Sequence, residues 1–291
     1  MTISAKVVLD SISGTGKRIT TLELVYPRFI HSELMTHRAF SRNSASSRAI
    51  PVERMIAMVQ EDTAMPIAWG KNTRGMQAKE NLPEADANAV RNAWLDAALD
   101  ARRHADELAA LGAHKQIVNR LLEPFMHMTT LVTATEWQNF FTLRDHPDAQ
   151  PEIQALAKEM RRALDESSPT LRMWHMPFIN DTLHQPLNIL GGVSAARCAR
   201  VSYLNHDGTN PDIEKDLTLA RKLVKDAHWS PFEHVACANL RPERSSMEAN
   251  LQGWKQLRHI IGVYPKWLDV KEMDDVFLTD LVVPGPVTAG T

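Results

Sequence analysis

The sequence predicts an α+β fold in which helix dominates and strands are a minority. Three features carry that expectation: a hairpin pattern over residues 5–26, a long helical stretch over 84–111, and an amphipathic helix over 149–164. In the hairpin, Lys6 to Leu9 is short and apolar, Ser13-Gly14-Thr15-Gly16 is turn chemistry, and Ile19 to Val25 is β-branched and partly alternating. Pro27 then permits a helix start, with Phe29, Ile30 and Leu34 as its apolar stripe, so His37 and Arg38 fall near its C-terminal end. Residues 38–51 are rich in Ser, Arg and Asn without periodicity and read as an ordered loop, either functional or plain surface. Over 84–111, Val90, Trp94, Ala97, Ala101, Ala105 and Leu108 recur at helical spacing, and Gly112 is a natural stop. A further helix puts Ile117 and Leu121 on one face and ends near Pro124, and residues 129–144 read as a buried helix through Trp137, Phe140 and Phe141. Residues 165–192 are the least regular and read as a connection between two halves, after which Ser194 to Tyr203 reads as a helix and turn. Asn210-Pro211-Asp212 starts another helix, with Asn210 as N-cap, continued by Ile213, Leu217, Ala220 and Val224.

Composition narrows the classes. Of 291 residues, 44% are hydrophobic and 23% charged, the balance of a soluble globular chain. The formal net charge of -2 gives no global field for nucleic acid, so any phosphate-binding surface is local. The two cysteines, Cys198 and Cys237, form no C-x-x-C pair, which argues against a disulfide scaffold and a structural zinc site. The first residues lack a signal-peptide pattern, and no stretch approaches the ~20 apolar residues of a membrane span, so a cytoplasmic protein without membrane or nucleic-acid partners is expected.

Three groups of residues can carry chemistry. Thr36 to Arg48 packs three arginines, one histidine and four serines into thirteen residues, a donor set suited to a nucleotide phosphate or, equally, to a solvated loop. His228-Trp229-Ser230-Pro231-Phe232-Glu233-His234 reads first as a capping box from Ser230 to Glu233, which leaves the flanking histidines unexplained. Its spacing is not H-E-x-x-H, so no metal is expected. Arg120 and Arg144 each end an apolar helical stretch, where an arginine is paired or binds an anion. Glu123, Asp145 and Asp148 are the candidate partners. Ser13 to Arg18 fails as a P-loop, because Ser11 stands at the first glycine position and Arg18 at the Ser/Thr position. G-x-S-x-G and G-x-G-x-x-G are both absent.

Together these segments resemble the flavin-dependent thymidylate synthases, the ThyX family. Its R-H-R-x7-S signature is matched by Thr36-His37-Arg38 and Ser46, with Ser41, Asn43 and Arg48 in place. Its A-R-V-S-[YF] and P-F-E-H segments are matched by Ala199 to Tyr203 and Ala227 to His234. Arg120 to Pro124, Asn139 to Arg144 and Ala149 to Ile153 match its later segments. The order departs: the A-R-V-S and P-F-E-H segments come first in the family and last here. The resemblance therefore implies a circular permutation. Residues 1–164 would be the signature-bearing and C-terminal part, 165–193 the junction, 194–240 the family's N-terminal part, and 241–291 an unassigned extension. Thr36 replaces the signature's first arginine, Ser44 and Asp148 also depart, and Thr133 and Thr135 stand where the family has Asn and Arg against flavin.

The resemblance implies a ThyX-like fold, with helices on a small, mostly antiparallel sheet. It implies methylation of C5 of dUMP to dTMP, with methylenetetrahydrofolate as carbon donor and NADPH-reduced FAD as hydride source. Arg144 and His37 would be catalytic. Arg38, Ser46, Ser47, Arg48, Arg120 and Arg144 would bind the nucleotide. His37, Arg38, Asn139, Ser202, His228, Ser230 and Glu233 would line the flavin site. Ser46 is expected as a phosphate ligand rather than a nucleophile, since no neighbour would activate it. A homotetramer with shared active sites is implied. The rival readings are a pyrimidine C5 hydroxymethylase, a dCMP-directed synthase, and a non-catalytic nucleotide- or flavin-binding protein.

Overall fold

A computed structural model describes residues 3–180, 183–202, 209–210 and 212–269. The hairpin forms as its pattern dictates: β1 (Ser4–Ile12) and β2 (Arg18–Pro27) pair antiparallel around a turn closed by Ser13 and Lys17. A 3-10 turn (Arg28–Ile30) leads into the single turn α1 (His31–Leu34), which buries Ile30 and Leu34. Then follow β3 (Ser41–Ser44), α2 (Val52–Glu61), α3 (Glu84–Ala110), α4 (Lys115–Leu122), β4 (His127–Ala134), α5 (Gln138–Arg144) and α6 (Pro151–Asp165). The short strands β5 (Thr170–Leu171) and β6 (Trp174–His175) precede α7 (Leu187–Arg200) and α8 (Ile213–Lys225). The chain continues through β7 (Ala236–Ala238), β8 (Trp254–Gln256) and α9 (Leu257–Val263). The architecture is α+β. One five-stranded sheet runs β3-β4-β2-β1-β5, antiparallel except for β1 with β5, and a three-stranded sheet runs β6-β7-β8.

Several sequence expectations are corrected. Residues 129–144 are not one helix: β4 takes the first part and α5 only the last. Thr129, Thr130, Val132 and Thr133 are β-branched, and β4 is covered on both faces, so its continuous buried run does not alternate and mimics a buried helix. The segment 38–51 is not all loop, because β3 pairs with β4. On α4 the buried side chains are Val118 and Leu122, while Ile117 and Leu121 are exposed. Both pairs have the same i, i+4 spacing, so only packing against α2 and α3 selects between them. On α3, Ala98 and Ala105 are buried while Val90 faces out. Helix α7 begins at Leu187, inside the segment read as irregular. The cap of α8 is Asp212, whose carboxylate accepts from Glu214 N at 2.9 Å, rather than Asn210. Tyr203, Pro211 and residues 270–291 lie outside the described residues.

Packing divides among the layers. The largest core sits between the five-stranded sheet and α5 and α6, around Leu22, Leu24, Tyr26, Val132, Phe140, Leu156 and Met160. A second joins α7, α8 and α9 to the three-stranded sheet through Phe232, Leu257, Ile260 and Trp267. Gly191 admits that contact: a Cβ there would come within 2.6 Å of the Trp267 ring. A third core holds α2, α3 and α4 together. Buried charge is paired. Asp216 on α8 meets Arg197 at 3.0 Å and Arg200 at 2.7 Å on α7. Asp10 accepts from Arg18, Thr20 and Ser167, which fixes the hairpin to the end of α6. Both thiols are free and buried, and desolvation raises their pKa. Among the described residues, no helix is long and apolar enough to cross a membrane, and no group of three or more His, Cys, Asp or Glu could hold a metal ion.

The two sheets are joined by a buried chain of side-chain hydrogen bonds. Ser11 Oγ lies 2.9 Å from His175 Nδ1, and His175 Nε2 lies 2.8 Å from Thr21 Oγ1. Thr21 and Thr133 are 2.6 Å apart, and Thr133 is 2.8 Å from His234 Nδ1. Burial pushes both histidines down to about 3. Each is therefore neutral in the fold but protonates near its ordinary value once unfolded. The stability they contribute is complete above about pH 6.5 and is lost as pH falls from there toward 3. Each histidine accounts for about 1.4 kcal/mol per pH unit over that window. We expect urea-denaturation midpoints to fall steeply between pH 7 and pH 4.5, with the decline reduced in a His234→Gln variant. A flat profile would show that these side chains are not held neutral.

Candidate active site

Edge strand β3 organises the candidate site. Before it, the end of α1 delivers Glu33, Thr36 and His37, and the last turn of α5 delivers Arg144 opposite them. Three acceptors hold the guanidinium. Arg144 Nε donates to His37 Nε2 at 3.0 Å, Nη1 to Glu33 Oε2 at 3.4 Å, and Nη2 to Thr36 Oγ1 at 3.4 Å. The Thr36 hydroxyl donates in turn to the Glu33 carbonyl at 2.7 Å, which leaves its lone pair for Arg144. His37 is buried, with its ring edge-on to Phe140 at 4.8 Å. Desolvation and then the Arg144 and Arg42 charges push its pKa down to about 4, so it is a neutral acceptor at physiological pH. His37, Arg38, Asn139, Glu136, Leu143 and Arg144 line a cleft of about 400 Å³. Arg38 is exposed and has no acid partner among the described residues.

Beyond the other end of β3, a second group gathers on Glu123. Its carboxylate accepts from Ser47 Oγ at 2.6 Å, Arg120 Nη1 at 2.8 Å and Arg28 Nη2 at 3.1 Å. Burial opposes its ionisation, yet the Ser47 hydroxyl and the two guanidiniums hold it below the usual carboxylate range. The buried Asn119 donates to the Ser47 and Ile50 carbonyls and braces the turn. Ser46 and Arg48 are exposed, and Arg48 has no acid partner among the described residues. Of the acids proposed from sequence, Glu123 does pair with Arg120. Neither Asp145 nor Asp148 pairs with Arg144: Asp145 binds Arg161 at 2.9 Å, and the acid at Arg144 is Glu33.

The end of α7 and the turn at Ser230 lie alongside β3. Asn43 on β3 donates to the Cys198 and Ala199 carbonyls at 2.8 and 3.2 Å, and its Oδ1 accepts from Ser230 Oγ at 3.1 Å. The expected capping box at Ser230 does not form. Residues Ser230–Glu233 make a 3-10 turn with no side-chain cap, because the Ser230 hydroxyl is turned to Asn43 and Glu233 pairs with Arg258. A capping box stands instead at Ser245 and Glu248. Ser202 follows Val201, which ends α7 in the left-handed region at φ 56°, strained for a β-branched residue. His228 is exposed. Thr133 is fully buried in the chain between the sheets, and Thr135 accepts from Gln252 N at 2.9 Å.

The structure thus brings His37, Arg38, Asn139 and Arg144 into one cleft. Ser46, Ser47, Arg48 and Arg120 lie past the far end of β3, and Ser230 and Glu233 lie against that strand. Four strand residues of roughly 13 Å stand between the first two groups, and no hydrogen bond or ion pair joins them among the described residues. Sequence reasoning missed Glu33. The signal was its position three residues before Thr36 and four before His37, one helical turn from both.

The Thy1 family model, described as thymidylate synthase complementing protein, matches residues 19–170, just over half of the chain. No curated protein matches. Among solved structures, a UMP/dUMP methylase PolB from Streptomyces cacaoi bound with 5-Br dUMP is 18% identical, with a TM-score of 0.48, covering 57% of this chain and 90% of its own. The same methylase bound with 5-Br UMP gives 19%, 0.48, 57% and 89%.

Removing Glu123 leaves two arginines and a buried serine without their common acceptor. We expect Glu123→Ala to lose about 1–3 kcal/mol of stability by chemical denaturation, tempered by the partial exposure of Arg120. An unchanged midpoint would show that the three donors find water equally well.

Proposed function

We propose that this chain, which belongs to the Thy1 family of thymidylate synthase complementing proteins, is a flavin-dependent thymidylate synthase. In this reading it methylates C5 of dUMP to dTMP, with methylenetetrahydrofolate as carbon donor and NADPH as reductant. The observation that carries the reading is Arg144, a cation fixed by three acceptors at the wall of a ligand-sized cleft.

Activating C5 of a uracil ring places negative charge on its oxygens and nitrogen. A guanidinium already oriented toward that charge lowers its energy without reorganising. Glu33, His37 and Thr36 supply the orientation. His37, neutral and accepting from Arg144, is a positioning residue in this scheme. Arg38 and Arg48, exposed and without acid partners among the described residues, suit phosphate oxygens, and Ser46 and Arg120 extend that donor set. The residues present also fit a flavin. Asn139 and Arg38 offer polar contacts at a cleft backed by the Phe40, Phe140 and Trp137 rings, with Ser230 and Glu233 of the turn beside β3, and Ser202 and His228, as further candidates. Bound FAD, reduced by NADPH, would supply the hydride that completes the methyl group.

The separation of the two groups along β3 supports a site completed by a second copy, as in a homotetramer. Exposed Leu95 and Leu99 on α3 and Ile117 and Leu121 on α4 offer apolar surface for such contact. The contact of Asn43 with Cys198, Ala199 and Ser230 supports the permuted correspondence of residues 194–240 with the family's first segment.

One second reading has its own observation. Thr133 and Thr135 are spent on internal hydrogen bonds, which favours a non-catalytic nucleotide- or flavin-binding protein. Incubation with FAD, NADPH, methylenetetrahydrofolate and dUMP or dCMP, followed by mass spectrometry of the nucleotides, separates the readings. We expect NADPH-dependent dTMP. A hydroxymethyl product formed without NADPH would select the hydroxymethylase, and flavin binding without product the non-catalytic reading. Arg144→Ala should abolish turnover, by at least a hundredfold, while the flavin spectrum persists. Normal turnover in that variant would remove Arg144 from the mechanism.

A further inference from the structure

We infer that the cleft between the β1–β2 turn and residues 239–253 holds the phosphate-bearing adenosine end of the NADPH reductant; this rests on the proposed function above. The cleft measures about 370 Å³, within the range of small-molecule sites. Its cations are Lys17 from the turn and Arg241 and Arg244 from the loop after β7. Each is set by the backbone around it. The Lys17 stem lies on Gly253, where a Cβ would come within 2.6 Å of Lys17 Cγ, and Trp254 Nε1 donates to the Lys17 carbonyl at 3.1 Å. The buried Asn239 closes the loop: its Nδ2 donates to the Glu243 carbonyl at 2.9 Å, and its Oδ1 accepts from Arg241 N at 3.3 Å. Arg244 Nη2 donates to the Ala249 carbonyl at 2.6 Å.

Charge and reach select the occupant. Two acids also line the cleft, Glu243 and Glu248. Glu248 is buried and already accepts from Asn239 Nδ2, Ser245 N and Gly253 N, at 2.6, 3.0 and 2.8 Å. Lys17 and Arg241 are exposed and have no acid partner among the described residues. A phosphate monoester brings up to two negative charges and three acceptor oxygens, which guanidiniums and an ammonium match. FAD has no monoester, and the proposed function gives the dUMP monoester to Arg38 and Arg48. NADPH carries one on the adenosine 2′ oxygen, and an arginine beside the adenosine is a general way of holding it. The cleft also adjoins the one at Arg144. Gln252 lines this cleft and its N–H donates to Thr135 Oγ1 at 2.9 Å, while Glu136, the next residue, lines the Arg144 cleft. Asn250 Nδ2 donates at 3.0 Å to the carbonyl of Ala39, which lines the Arg144 cleft as well. Two residues of chain span at most about 7 Å, so residues 250–252 form a thin wall between the clefts. An extended dinucleotide is longer than that, so its nicotinamide reaches the Arg144 cleft with the adenosine end still at Lys17 and Arg241.

The test is calorimetric titration of adenosine 2′,5′-bisphosphate and of AMP into the full chain, with FAD and dUMP titrated separately. We expect the bisphosphate to bind about tenfold tighter than AMP, or better. Lys17→Ala and Arg241→Glu, both at exposed positions, should each cost about tenfold of that preference and leave FAD and dUMP affinity unchanged. In steady state, Arg241→Glu should raise KM for NADPH and leave KM for NADH as it was. Equal affinity for the two adenosine probes in an unmodified chain that binds FAD and dUMP overturns the inference and leaves the proposed function standing. A preference that persists in both variants also overturns it. So does a loss of FAD affinity in them, which would give the cleft to the flavin phosphates. Failure of FAD, dUMP and both adenosine probes alike removes the inference and the proposed function together.

Discussion

The fold depends on one dry chain of hydrogen bonds between its two sheets. Ser11 and Thr21 of the hairpin and Thr133 of β4 belong to the five-stranded sheet; His175 and His234 come from the three-stranded sheet and the turn before it. Its polarity follows from an accounting of protons. Both histidines are neutral, so each has one N–H and one lone pair. His234 Nε2 is buried without a partner, and a bare lone pair there costs less than a bare N–H. His234 Nδ1–H therefore donates to Thr133, Thr133 to Thr21, and Thr21 to His175 Nε2, which leaves His175 Nδ1–H for Ser11. Every hydroxyl in the middle both gives and receives. One protonation breaks the sequence, which makes the junction specific as well as stable.

That junction also explains what the sheets can present at their surface. Thr133 of β4 is consumed internally, in the hydrogen bonds that join the two sheets. The candidate cleft lies instead beside what flanks β4: β3 at its edge and α5 at its end. Arg144 sits in the last turn of α5, where the helix dipole favours a cation, and the acids and acceptors around it come from α1. The guanidinium is positioned by short-range contacts between two one- or two-turn helices resting on the same core.

Much of this was legible in the sequence. The hairpin, α3 and α6 follow from turn chemistry and periodicity, and His37 and Arg144 were expected in one site and share one cleft. Strand β4 was not legible, because a strand covered on both faces loses the alternation that marks a strand. The inward face of α4 was not legible either, since Val118 with Leu122 and Ile117 with Leu121 have the same spacing. The partner of Arg144 escaped for another reason. Sequence proximity favoured Asp145 and Asp148, whereas Glu33 is 111 residues away along the chain and reaches Arg144 only once β2 and β4 pair.

The order of segments along the chain matters less than the contacts they make. Asn43 shows why: one side chain takes two carbonyls at the end of α7 and the hydroxyl of Ser230, more than 150 residues downstream. These bonds need the strand edge and the helix end to meet, and they are indifferent to which is synthesised first. The stretch between α6 and α7 carries two short strands. Strand β5 extends the larger sheet beside β1, and β6 begins the smaller sheet with His175, the residue through which the two sheets are joined. The stretch that carries β6 is thus also a bond between the sheets, so cutting or lengthening it near His175 would disturb the buried chain before it reached the cleft at Arg144.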